Sequence, residues 1–131
     1  MPRVIIDERL QVKRVYEAPD ARDGTRVLVD RLWPRGIAKD KAHIDLWLRD
    51  VAPSDAPRRR FHAKPEVWDA FLAAYGDELD ASAARDALRT LADLRRAGPV
   101  MLLYAARDGA RNNAVALVTL LEHRRSNAFV S

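Results

Sequence analysis

Two short stretches carry the side chains that could do chemistry. The first runs from Arg26 to Gly36 and presents Asp30, Arg31, Trp33 and Arg35. The second runs from Tyr104 to Asn113 and presents Arg107, Asp108, Asn112 and Asn113. Guanidinium groups grip phosphate and carboxylate through paired N–H donors. A helix that begins after a strand offers further amides and a favourable dipole to an anion. Trp33 adds a flat ring beside that charge. Each residue also has a plainer reading. Asp30 and Arg31 could tie a strand end to neighbouring backbone. Asp108 or Asn112 could simply cap a helix. Trp33, like Trp47 and Trp68, could belong to the core.

Both stretches need a rigid element to deliver them. Val27, Leu28 and Val29 form an apolar, β-branched run that suits a central strand covered on both faces. That strand is expected over Val27–Leu32, with Pro34 and Gly36 marking a sharp turn after it. Val100 to Ala105 is a second continuous apolar run, between Pro99 and the loop at Arg107, and is expected to lie beside the first. If the two strands are parallel, both charged groups open at one edge of the sheet, where open α/β sheets place their ligands.

The remaining elements follow from periodicity. Leu10 to Tyr16 alternates as a strand, and residues 17–24 are too few for an ordinary crossover helix. The first strand therefore lies antiparallel to the second or reaches it by a tight crossover. Lys13 and Arg14 sit within it. One of them should face inward and need a partner, for which Asp30 is the natural candidate. Residues 37–43 suit a helical turn or two. Residues 44–51 alternate as a third strand, with Ile44, Leu46 and Leu48 on one side. Ser54 suits the cap of a short helix carrying Arg58, Arg59 and Arg60 and ending near His62. Trp68, Phe71, Leu72, Tyr75 and Leu79 form the apolar stripe of a helix over 65–79. Ser82 is placed to cap the next helix, which Gly98 and Pro99 stop. A last helix starts near Arg111 to Asn113. The expected architecture is a single three-layer α/β domain over 1–131. It has a small, mostly parallel sheet of about four strands and helices on both faces. Residues 1–9 and 126–131 are expected to be loose.

Composition narrows the chemistry. The 131 residues include no cysteine. That removes disulfides, thiolate nucleophiles and zinc–thiolate or iron–sulfur sites. His43, His62 and His123 lack ligand spacing, so no metal site is expected. No GxGxxG or Walker pattern is present, and no cofactor is implied. The net charge is +4 at pH 7, with an isoelectric point near 9.8, which favours acidic partners in general. No apolar run is long enough to span a membrane. Acids stand near the N-terminus where a signal peptide needs an apolar core, so a cytoplasmic protein is expected. Nothing in the sequence fixes an oligomeric state.

Several of these segments resemble one family. Lys13 to Glu17, the string Val27 to Gly36 that reads VLVDRLWPRG, Asp45 to Leu48, Ala52 to Ser54, Phe61-His62, Leu102 to Asp108 and Asn113-Ala114 are similar to the YeaO-like family of uncharacterised bacterial proteins. The likeness covers roughly residues 10–125. It implies a small cytoplasmic α/β protein without assigned catalytic residues. Lys13, Arg14, Asp30, Arg31, Trp33, Arg35, Asp108 and Asn113 are the positions that match. The layout is also similar, at fold level, to rhodanese and phosphatase-like domains. Those domains place a cysteine where this chain has Ala105 or Ala106, so sulfur transfer and cysteine-phosphatase chemistry are excluded. Three functional classes remain: a pocket for a small anionic ligand, a basic nucleic-acid-binding or regulatory protein that would use Arg58 to Arg60 on phosphates, and a partner-binding scaffold, which no specific feature supports.

Overall fold

The computed structural model describes residues 5–7, 10–38, 43–54 and 68–130, without the side chains of 5–7 and 124–130. Strand β1 is Ile5–Asp7, β2 Leu10–Arg14, β3 Thr25–Leu28, β4 Leu46–Trp47 and β5 Val100–Tyr104. Helix α1 is Trp68–Glu78, α2 Ser82–Ala97 and α3 Asn113–Val130. The sheet order is β1-β2-β5-β3-β4. β2, β5, β3 and β4 run parallel, and β1 joins antiparallel at the edge. This is a small α/β domain with a mostly parallel sheet, as the sequence implies.

β5 is the central strand because all five of its side chains are apolar and buried. Its residues alternate between two cores. Val100, Leu102 and Tyr104 join a large cluster with Phe71, Tyr75, Leu79, Leu91 and Leu117 of the helical layer. Met101 and Leu103 join a smaller one on the other face with Val15 and Leu28. β3 lies beside β5, with Val27 opposite Leu102. The first strand takes the tight crossover: β2 is parallel to β5 and separated by it from β3. The link between them turns through the 3-10 helix Ala21–Asp23. Gly24 then passes against Pro99 at φ +71°, where an added Cβ would lie 2.2 Å from the Pro99 carbonyl oxygen. Only glycine fits there.

Several expectations are corrected. The buried residues of all three helices join the same cluster. Among the described residues the opposite face is covered by Trp33, Ile37 and Ile44 from irregular chain and by Trp47 of β4, and no described helix packs there. β3 ends at Leu28 and not Leu32. Its pairing reaches one residue further, through the Val29 amide on the Leu103 carbonyl at 3.1 Å. The third strand is only two residues long, because the 3-10 turn Arg49–Val51 follows it. Ile44 packs on the face opposite Leu46 and Leu48. Residues 5–7 pair with β2 and are not a loose lead-in. The final helix continues to Val130 where a loose tail was expected. Ser82 opens α2 without capping it, and Ala81 holds the cap position. Ser54 donates its hydroxyl to Glu78. Arg58 to Arg60, His62, Pro65 and most of the 37–43 turn lie outside the described residues.

Candidate anion site

Three parallel strands, β2, β5 and β3, end side by side, and their carboxyl ends form one cavity of about 820 Å³. Of the residues singled out in the sequence, the fold brings Arg14, Asp30, Arg31, Trp33, Arg35, Arg107 and Asn113 to its walls. Tyr16, Leu32, Pro34, Pro53, Ala105 and Ala106 complete the lining.

Asp30 is the knot that holds these strand ends together. Its carboxylate accepts the Ala105 amide at 2.9 Å and the Asn113 side-chain amide at 2.8 Å. The same Asn113 amide nitrogen also donates to the Val29 carbonyl at 2.8 Å. The Asp30 carbonyl accepts the Trp47 indole N–H at 2.6 Å. One carboxylate thus ties together the end of β3, the end of β5 and the start of α3.

The arginines are held differently from ordinary ion pairs. Arg14 donates its Nε to the carbonyls of Ala105 and Ala106, at 3.2 and 3.0 Å, and lies 4.6 Å over the Tyr16 ring. Arg31 donates to the carbonyls of Pro53 and Ala52, at 3.1 and 3.0 Å. Carbonyl oxygens orient a guanidinium without neutralising it. Arg35 and Arg107 reach the cavity as exposed side chains. Among the described residues, none of these arginines pairs with a carboxylate. Neither Asp30 nor Asp108 therefore neutralises Arg31 or Arg35 through an ion pair.

Three candidates stand elsewhere. Lys13 is buried, and its ammonium lies 2.9 Å from Asp23, which also takes Arg26 at 2.5 Å. Asp23, not Asp30, is its partner, because β5 separates β2 from β3. Burial raises the Asp23 carboxyl, but hydrogen bonds from Lys13, the Asp20 amide and Arg26 outweigh it and hold the group below the usual carboxylate range. Asn112 is buried and caps α3, accepting the Val115 amide at 2.9 Å. Asp108 accepts the amides of Ala110 and Arg111, which lower its carboxyl from the ordinary value. The helix-capping reading is correct for Asn112, whereas Asp108 caps the turn at 110–111 that precedes the helix. Trp33 is shared: its indole donates to the Ile37 carbonyl, it meets Trp47 edge-on at 5.5 Å, and it still lines the cavity.

Sequence reasoning missed Tyr16, whose hydroxyl donates to the Arg35 carbonyl at 2.9 Å. The signal was available: Tyr16 is a large ring at the end of the alternating run, two residues beyond the last residue of β2. The buried cluster of Lys13, Asp23 and Arg26 was also missed. Among the described residues, no group of His, Asp or Glu is placed to hold a metal ion. No described helix is long and apolar enough to cross a membrane.

Comparison with known proteins places the chain in a family. An uncharacterised protein of Mycobacterium tuberculosis H37Rv is 44% identical over 121 residues, covering 92% of this chain and all of the relative. An uncharacterised Mycobacterium bovis protein matches to the same extent. The uncharacterised protein YeaO of Escherichia coli is 39% identical over 112 residues, covering 86% of this chain and 96% of the relative. No solved structure matches. The family model described as the inactive DUF488-N3 subclade matches residues 9–128, and the chain belongs to that YeaO-like family of unknown function.

Proposed function

We propose that this protein binds a small anionic ligand, bearing phosphate or carboxylate, in the crevice at the carboxyl ends of β2, β5 and β3. One observation carries the reading. Four guanidinium groups line the cavity and, among the described residues, none of them is paired with a carboxylate. Charge that a fold requires is ordinarily paired when it leaves water. Here Arg14 and Arg31 are oriented by backbone carbonyls and keep their full positive charge. Preoriented guanidinium groups in a concave, partly desolvated site are suited to an anion.

Binding rather than turnover is what the lining is equipped for. The described walls offer no cysteine, serine, lysine or histidine. The family's description as inactive fits the same reading. The ligand would be a cytoplasmic metabolite. Nucleic-acid binding, which the sequence raised through Arg58 to Arg60, gains no support from the described residues.

The test is calorimetric titration of inorganic phosphate and sulfate at low ionic strength, with melting curves of the wild type and Arg35→Ala. A ligand that binds only the folded state raises its melting temperature. The expected result is a phosphate-dependent rise in the wild type that is lost in Arg35→Ala, whose own melting temperature stays close to wild type. Silence of the wild type toward every anion, together with a large loss of stability in the variant, would overturn the proposal.

A further inference from the structure

The cavity is far larger than an anion needs. About 820 Å³ falls within the range of pockets that enclose whole organic ligands, whereas a bare phosphate would occupy a small part of it. Its rim is also unusual for this molecule. Only Tyr16, 44% exposed, and Leu32, 61% exposed, are large hydrophobics left open to solvent among the described residues, and both line this cavity. Apolar surface that the fold leaves bare beside unneutralised guanidinium groups calls for a ligand with two kinds of surface.

Resting on the anion-binding reading above, we infer that the ligand joins an anionic head to a flat aromatic body, the chemistry of a nucleoside monophosphate. Arg14 and Arg31, the anchored guanidinium groups, take the head together with Arg35 from the same wall. Tyr16 and Leu32 take the body. Arg14 lies over the Tyr16 ring, so head site and ring site meet in one layered unit. A flat ring extends such a stack, since aromatic and guanidinium planes both pair with a π-face. The Tyr16 hydroxyl, tied to the Arg35 carbonyl, fixes the ring in place and draws the 34–36 turn to the cavity mouth.

The experiment compares four probes by calorimetry on the intact protein: inorganic phosphate, ribose 5-phosphate, adenosine and AMP. AMP should bind tighter than ribose 5-phosphate by about tenfold or more, the advantage one stacked base confers. Tyr16→Ala should shrink that ratio toward one. Leu32→Ala should reduce it less, and because Leu32 lies outside both cores, this second variant keeps the test open if the first fails to fold. If phosphate and ribose 5-phosphate bind but AMP gains nothing, the aromatic body is refuted and the anion site stands. Adenosine binding as tightly as AMP would refute the head. A single-stranded oligonucleotide outcompeting AMP would make the site a groove for a chain and overturn the small-ligand assignment. Failure of every phosphate-bearing probe would bring down the anion-binding reading itself.

Discussion

Lys13 and Arg14 are neighbours on one strand, carry the same charge and have opposite fates. Lys13 is buried and ends on the carboxylate of Asp23, which also receives Arg26. Arg14 ends on two carbonyl oxygens and a tyrosine ring at the wall of a cavity. The first arrangement stabilises the fold by matching cations with an anion where water is excluded. The second orients a cation and leaves its charge unspent. Burial without pairing is costly, so the fold tolerates unpaired arginines only where solvent or a ligand can reach them. The distinction separates structural charge from available charge without reference to any relative.

The largest effects should come from the structural side. Asp23→Ala leaves Lys13 and Arg26 without the carboxylate they share, and should cost roughly 3–5 kcal/mol in urea unfolding. Gly24→Ala should cost a similar amount, since its Cβ meets the Pro99 carbonyl at 2.2 Å. Comparable loss from Arg35→Ala would erase the contrast between the two regions. The pH dependence follows from Asp23 as well. Its carboxyl is held below the ordinary value in the folded state. A group with a depressed folded pKa binds more protons when unfolded, so its contribution is fully present above the ordinary value of about 3.9 and is lost as pH falls below it. Wild-type stability should therefore decline below about pH 4, and Asp23→Asn should flatten that decline while being less stable at pH 7.

The parts of this fold legible in the sequence are those where burial writes a pattern. Val100 to Leu103 and Val27 to Val29 are covered on both faces, so each position is apolar and the strands announce themselves. The helical stripe of Phe71, Tyr75 and Leu79 is equally plain. Ile5–Asp7 is not, because an edge strand of three residues has no room for a period. The cover made by Trp33, Ile37 and Ile44 is irregular chain, and Trp47 sits in a strand of only two residues, so neither has a repeat to read. At the site, the charged residues were visible because they follow apolar runs. Their anchors were not, because the oxygens of Ala52, Pro53, Ala105 and Ala106 belong to the backbone and leave no mark in side-chain identity. Lys13 was misassigned for a topological reason: strand order decides which acid it can reach.

Intermediate effects calibrate the core between these regions. Trp68 is half-buried against Phe71, with ring centroids 5.5 Å apart. Trp68→Ala should cost about 2 kcal/mol, less than the roughly 3–5 of a fully buried aromatic. Tyr75 is fully buried, and its hydroxyl donates to the Val51 carbonyl. Burial pushes that phenol well above its ordinary range. Tyr75→Phe strands the carbonyl and should cost about 1–2 kcal/mol. These two values, from thermal unfolding, set the scale against which the cavity variants are judged.

A small stability change is expected at Arg14, and it tests the contrast most sharply. Arg14→Lys keeps the charge and loses the guanidinium plane. A lysine ammonium is a compact, strongly hydrated point charge, without the planar fork that matches a phosphate or carboxylate edge. The carbonyls of Ala105 and Ala106 that Arg14 now serves are only half-buried, so water can replace its donors. Stability should fall by no more than about 1 kcal/mol. Phosphate affinity should nevertheless fall by about tenfold, because an oriented two-donor contact is replaced by a mobile one. The converse change, Lys13→Arg, must fit a larger planar group into the space around Asp23 and should destabilise by about 1–3 kcal/mol with little effect on phosphate. Equal stability losses from the two swaps would show that charge on this strand is structural at both positions. An unchanged phosphate affinity in Arg14→Lys would show that the cavity responds to charge alone, and the carbonyl anchors would then be ordinary hydrogen bonds without a part in recognition.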